Sequence, residues 1–158
     1  MVTNNFELTQ HVAGILNISL NSNENGSVTK STDEGSVFQP CNTVEELLVL
    51  EQRLSIDKDF FRSVKEMLKK CHQKTLRRTI YVMLRMLMSD KAAMKCNYGG
   101  RNGKLGLEGK SILLAIKEAL NLIPAYKNTH DMEFKLVIQD WLKNVKARSS
   151  KALGQNTL

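Results

Sequence analysis

Arg62, Lys65, Lys69, Lys70, Lys74, Arg77, Arg78, Arg85, Lys91, Lys95, Arg101 and Lys104 fall in one stretch that holds only two acids, Glu66 and Asp90. That stretch carries +10, whereas the whole chain of 158 residues carries +7. Guanidinium and ammonium groups at this density suit one chemistry above others, the neutralisation of polyanion phosphates with release of condensed counterions. The competing reading is a lysine-rich solvated face that binds nothing acidic. The candidate phosphate contacts form three groups. Lys69, Lys70, Lys74, Arg77, Arg78 and Arg85 make the first, Arg101, Lys104 and Lys110 surround a glycine-rich loop, and Lys143, Lys146 and Arg148 mark a helix end. Phosphate contacts position a protein and base edges specify a sequence, and Arg101 and Arg148 are the candidates for the second task.

Other chemistry finds no complete set of residues. Gly109-Lys110-Ser111 opening a helix invites comparison with a phosphate-cradling P-loop, but the glycine required five positions earlier is Lys104, and no buried strand precedes it. The surviving form of that idea is a helix N-terminus near Lys110 that joins Arg101 and Lys104 in meeting a nucleic-acid phosphate. His11, His72 and His130 are scattered, and Cys71-His72 is the only adjacent Cys/His pair, so no metal site is expected. Cys41, Cys71 and Cys96 belong to no CxxC and suit a reducing compartment as buried apolar groups. No nucleophile, base and orienting group come together, which argues against an enzyme and leaves no cofactor or small-molecule substrate to expect.

The elements that must carry the cations are helical. Thr43 with Glu46 three positions on is a capping box, opening a helix over about 44–54 that buries Val44, Leu47, Leu48, Leu50 and Leu54. Asp57 caps a second over about 58–70, with Phe60, Phe61, Val64, Met67 and Leu68 on one face. Thr75 caps a third over about 76–88, turning Leu76, Ile80, Met83, Leu84 and Leu87 inward and leaving Arg78 and Arg85, two turns apart, on another face. Ser89 caps a short turn. Five glycines in the thirteen residues 97–109 predict a long connection without regular structure, in which Tyr98 either anchors the loop or stacks on a base. A helix over about 110–122 stops before Pro124, and a last one over about 131–148 aligns Phe134, Val137, Ile138, Trp141, Leu142 and Val145, with Trp141 expected in the core. Period-2 alternation is missing, so essentially no sheet is expected.

The fold class is therefore all-α, a compact bundle of about five helices with a glycine-rich loop, preceded by a disordered N-terminal segment. Residues 21–37 hold two aliphatic side chains and cannot offset their chain entropy, which makes 1–37 a tail and flexible linker, 38–148 the helical domain and 149–158 a C-terminal tail. Phe6 to Leu20 contains enough apolar residues for a short amphipathic element. No run approaches the ~18 apolar residues of a membrane span, and no secretory signal pattern opens the chain, so the expected location is intracellular. On that footing the two glycosylation sequons at Asn17 and Asn25 are coincidental.

Phe38-Gln39-Pro40, Thr43-Val44-Glu45-Glu46-Leu47 leading to Leu50-Glu51 and Leu54, Asn97-Tyr98-Gly99 with Gly103-Lys104, and Trp141 to Arg148 resemble, in order and spacing, an uncharacterised domain-of-unknown-function family of animal proteins. The resemblance spans most of 38–148 and implies a fold more than an activity. The downstream half, a helix ending near Ser89, a glycine loop and two helices finishing in basic residues, is also similar in layout to the BEN domain, an all-helical DNA-binding and protein-interaction module. That likeness implies a non-enzymatic module binding duplex DNA in the nucleus, in a transcription or chromatin setting. The alternative is a protein-interaction or self-association module presenting Met86, Met88 and Met94 as an adaptable apolar surface.

Overall fold

The structure, a computed structural model, describes residues 38–156, with side chains through Lys151. The tail and linker over 1–37 lie outside the described residues. The helical unit begins at Pro40.

Helix starts follow the local capping residues. Helix α1, Val44–Ile56, begins where the Thr43 hydroxyl accepts from the Glu46 amide at 3.1 Å, while Glu46 Oε1 accepts from the Asn42 amide at 2.7 Å. The reciprocal box thus closes one residue upstream of its usual partner. Asp57 accepts from Phe60 N to start α2, Lys58–Lys69, and Thr75 accepts from Arg78 N to start α3, Leu76–Leu87. Ser89 caps α4, Asp90–Ala93. Then come two short strands, β1 (Cys96–Asn97) and β2 (Leu105–Gly106), α5 (Ser111–Asn121), a 3-10 turn at Pro124–Tyr126, α6 (Asp131–Lys143) and α7 (Val145–Asn156).

Apolar burial holds these elements together. Leu47, Leu50, Leu68, Ile80, Met83, Leu84, Leu87, Ile112, Ile116, Ile138 and Trp141 are fully shielded from solvent. Full burial of such a side chain contributes about 1.5–3 kcal/mol. Helix α5 lies against α1, α2 and α3, α6 lies against α3 and β1, and α4 lies against α7. Because α1 meets both α2 and α5, its buried arc is wider than one stripe. Val49 is inside, and Leu48, expected there, is 40% exposed.

Four expectations are corrected. The glycine-rich stretch holds regular structure, since β1 and β2 pair in parallel with Cys96 opposite Leu105 and Asn97 opposite Gly106. The single helix expected over 131–148 is two, because Asn144 leaves helical geometry and donates its side-chain amide to the Asp140 carbonyl at 2.9 Å, competing with the next turn. Helix α7 then runs to Asn156, through residues that composition assigns to a tail. Met88 is buried at 1% exposure, because Cys41 bridges the end of α3 by accepting from Ser89 N and donating to the Leu87 carbonyl, both at 2.9 Å. It therefore cannot join Met86 and Met94 in a surface.

Candidate nucleic-acid interface

Helix α3 turns Thr79, Ile80, Met83, Leu84 and Leu87 into the core, which leaves Arg78 and Arg85 exposed on the outward face. Tyr81 stands between that face and α6. Its hydroxyl donates to Asp140 Oδ2 at 2.7 Å, and the Arg77 guanidinium pairs with the same oxygen. The Tyr81 hydrogen bond and the Arg77 charge hold the Asp140 carboxyl below its usual range, against some desolvation. Burial, aided by that bond, pushes the Tyr81 phenol up. Lys143 follows Asp140 by one turn, so the α3 face and the end of α6 adjoin. Lys74 enters beside the first turn of α3, its connection tied down by the Gln73 amide donating to Thr79 Oγ1 at 2.9 Å. Lys69 and Lys70 are exposed at the end of α2.

Arg148 is not presented to solvent as a base reader would be. Its Nη2 and Nε donate to Asp90 Oδ1 at 3.0 and 3.2 Å, and its Nη1 donates to the Trp141 carbonyl at 2.8 Å. The guanidinium lies 4.3 Å from the centroid of the Trp141 ring, leaving the side chain 20% exposed. It joins α4, α6 and α7 as a structural tie. Arg77 is likewise engaged by Asp140.

Lys110 also differs from expectation. The α5 N-terminus beside it already holds an anion, the Glu51 carboxylate, which accepts from Ser111 N at 2.7 Å and Ile112 N at 3.0 Å. Helix α5 has no side-chain cap of its own, so a residue sixty positions away supplies one. The positive end expected to meet phosphate is filled from within the fold.

The loop itself is well held. Asn97 Oδ1 accepts from the amides of Gly100 and Arg101, and Asn97 Nδ2 donates to the Arg101 carbonyl at 2.9 Å. Asn102 and Gly103 both take positive φ, 56° and 74°, and Lys104 N donates to the Arg101 carbonyl at 3.1 Å. This is a primed turn, for which Asn-Gly is the favoured dipeptide. Arg101 and Lys104, at its two ends, are both exposed. Tyr98 is half-buried with Lys135 Nζ 5.3 Å from its ring centroid, so it faces α6 and anchors the loop.

Helix α6 separates the two cationic regions. At 3.6 residues per turn, Lys135 and Asp131, on the loop side, lie on nearly the opposite flank from Glu133, Val137 and Asp140, on the α3 side. The twelve nominated residues therefore do not merge into one strip. Lys69, Lys70, Lys74, Arg78, Arg85, Lys143 and Lys146 border α3 and its neighbours, while Arg101 and Lys104 stand beyond α6. These nine are exposed and none is ion-paired with a carboxylate among the described residues, although Lys143 adds to the positive field on Asp140.

Between the first turn of α3 and the body of α6 lies an open groove of about 730 Å³ lined by Leu76, Arg77, His130, Met132, Glu133, Leu136, Val137 and Asp140. Burial pushes the Cys41 thiol up to about 12, Cys96 to about 11, and Cys71 upward as well, which favours the protonated form. Among the described residues no cluster of His, Cys, Asp or Glu could hold a metal ion, and no helix is long and apolar enough to cross a membrane. Sequence reasoning passed over Glu51, Asn97, Asp90 and Asp140. Only Asn97 carries a local signal, an Asx residue opening a glycine turn.

Residues 33–116 match a family described as a domain of unknown function, DUF4806, over more than half of the chain. The match takes in the Thr43 capping box and the Asn97 loop and ends before the Trp141 to Arg148 segment. No curated protein and no solved structure matches the chain.

Proposed function

We propose, starting from the fact that the chain belongs to the DUF4806 family, that it is a non-enzymatic DNA-binding module of a nuclear, transcription- or chromatin-associated protein. The observation that carries this reading is the set of nine exposed cations that form no ion pair among the described residues, with Arg78 and Arg85 on one outward face of α3. Seven residues separate those two arginines, a rise of about 10 Å, so they engage different phosphates of a duplex backbone. Lys143 and Lys146 extend that contact around the α6–α7 corner, and Lys69, Lys70 and Lys74 extend it at the other end of α3. Arg101 and Lys104 form a second contact zone on the far side of α6, preset by the Asn97 hook and the primed turn. Arg101, exposed at a hydrogen-bonded tip, is the remaining candidate for a base edge. The BEN-like order of helix, glycine loop and two helices supports the same reading as a likeness of layout.

The test is duplex affinity against salt concentration. Each phosphate neutralised contributes a slope of about −0.9 in log K against log salt. Arg78→Glu with Arg85→Glu is expected to weaken binding on the order of 100-fold at low salt and to flatten the slope by about two phosphates. A shallow slope for the unmodified chain, or unchanged affinity in the folded double variant, sinks the proposal. The interaction-module alternative finds no support at Met88, which is buried.

A further inference from the structure

We infer that the turn 101–104 enters the minor groove of a bound duplex, where Arg101 selects A·T-rich over G·C-rich sequence. The inference rests on the duplex reading above and names the class of DNA that it takes. Arg101, Asn102, Gly103 and Lys104 are consecutive and exposed, and none of them is acidic, aromatic or aliphatic. Proteins that read the minor groove do so with arginine, lysine, asparagine and glutamine, and three of these are the side chains that the turn presents. A Cβ at Gly103 would meet nothing within 4 Å, so the tip stands clear of the rest of the fold. Arg101 is held at its root and not along its side chain. Asn97 Oδ1 accepts from its amide at 3.1 Å, and Asn97 Nδ2 and Lys104 N both donate to its carbonyl. Its guanidinium forms no ion pair among the described residues. A fixed backbone carrying an unengaged cation lowers the ordering cost of insertion.

Width decides the groove. A minor groove about 6 Å wide excludes an α-helix of about 10–12 Å, whereas the major groove admits a helix or a two-stranded ribbon. The tip is a turn closed by Lys104 N donating to the Arg101 carbonyl at 3.1 Å, and the strands behind it are only two residues each, too short for such a ribbon. Chemistry then decides the sequence. A guanidinium only donates. The minor-groove edge of an A·T pair offers only acceptors, adenine N3 and thymine O2, while a G·C pair adds the guanine amino group, a donor that a guanidinium cannot satisfy. Runs of A·T pairs also narrow the groove and strengthen its negative potential, which favours an inserted arginine.

The test uses fluorescein-labelled duplexes of one length that differ only in their central run, read by anisotropy against the full chain at one salt concentration. The run is A·T, G·C, or inosine·cytosine, which keeps the major-groove pattern of G·C and lacks its minor-groove amino group. The A·T and inosine·cytosine duplexes are both expected to bind about tenfold more tightly than the G·C duplex. Arg101→Lys keeps the charge, and it is expected to reduce that preference to about twofold with an unchanged salt slope. Arg101 is exposed, and an unchanged melting temperature establishes that the variant is folded. Arg78→Glu with Arg85→Glu is expected to weaken all the duplexes together and to leave the preference intact, because phosphate contacts carry no sequence information. Equal or tighter binding of the G·C duplex, inosine·cytosine binding like G·C, or a preference that survives Arg101→Lys overturns the inference and leaves the duplex reading standing. Binding to none of the duplexes overturns both.

Discussion

Glu51→Ala is expected to lower the stability of the domain by about 3 kcal/mol, because two partly buried amides of α5 lose their only acceptor at once. Ser111 N and Ile112 N donate to the two oxygens of this carboxylate at 2.7 and 3.0 Å, and the helix has no cap of its own. The carboxylate also sits against the positive end of the α5 dipole, which adds a smaller favourable term. A neutral acceptor retains part of this, so Glu51→Gln should cost roughly half as much. Urea titration reads both variants. A shift of the midpoint with an unchanged m-value gives the loss directly, and a change below about 0.5 kcal/mol for Glu51→Ala would mean that the contact contributes nothing measurable. Since α5 touches α1, α2 and α3, the damage is to the centre of the bundle, not to its rim.

Gly106→Ala is expected to cost about 3 kcal/mol or to force the loop open, because a methyl group there has nowhere to go. An added Cβ would lie 2.8 Å from both the Cα and the amide nitrogen of Gly100, and 3.1 Å from the carbonyl carbon of Gly99. Those neighbours are backbone, so no side-chain rotation relieves the clash. Gly99→Ala is the matched control, since its Cβ would meet nothing within 4 Å, and it should be close to neutral. Hydrogen exchange at Leu107 and Glu108, whose amides donate to the carbonyls of Asn97 and Tyr98, reports whether the loop has opened. If those amides stay protected and stability is unchanged in Gly106→Ala, the close approach of the two chain segments is not a constraint. Opening the loop would also scatter Arg101 and Lys104, so duplex affinity should fall in this variant and not in Gly99→Ala.

Much of the fold was legible because helix starts are set within four residues. Thr43, Asp57, Thr75 and Ser89 each cap the helix that their side chains mark in the sequence, and the apolar stripes of α3, α5 and α6 are the buried ones. What the sequence hid acts at long range or against composition. Glu51 reads as one more acid on a charged helix until α5 is placed beside it. Asp140 and Asp90 lie 63 and 58 positions from Arg77 and Arg148, so counting local charge leaves both arginines free when each is engaged. Glycine density in 97–109 predicts looseness, but the same glycines permit the tight backbone approach that fixes the loop. The candidate site was therefore visible as an inventory of cations and not as an arrangement. Which nine are exposed and free of ion pairs among the described residues, and that α6 divides them, depends on how the helices meet.

Trp141 is the sole tryptophan of the chain, wholly enclosed and covered on one face by the Arg148 guanidinium. Its fluorescence therefore serves as an intrinsic optical gauge of the place where α4, α6 and α7 are tied together. Emission comes from a dry, cation-capped indole in the native state and moves to longer wavelength once water reaches it, so denaturation of this corner can be followed without any attached dye.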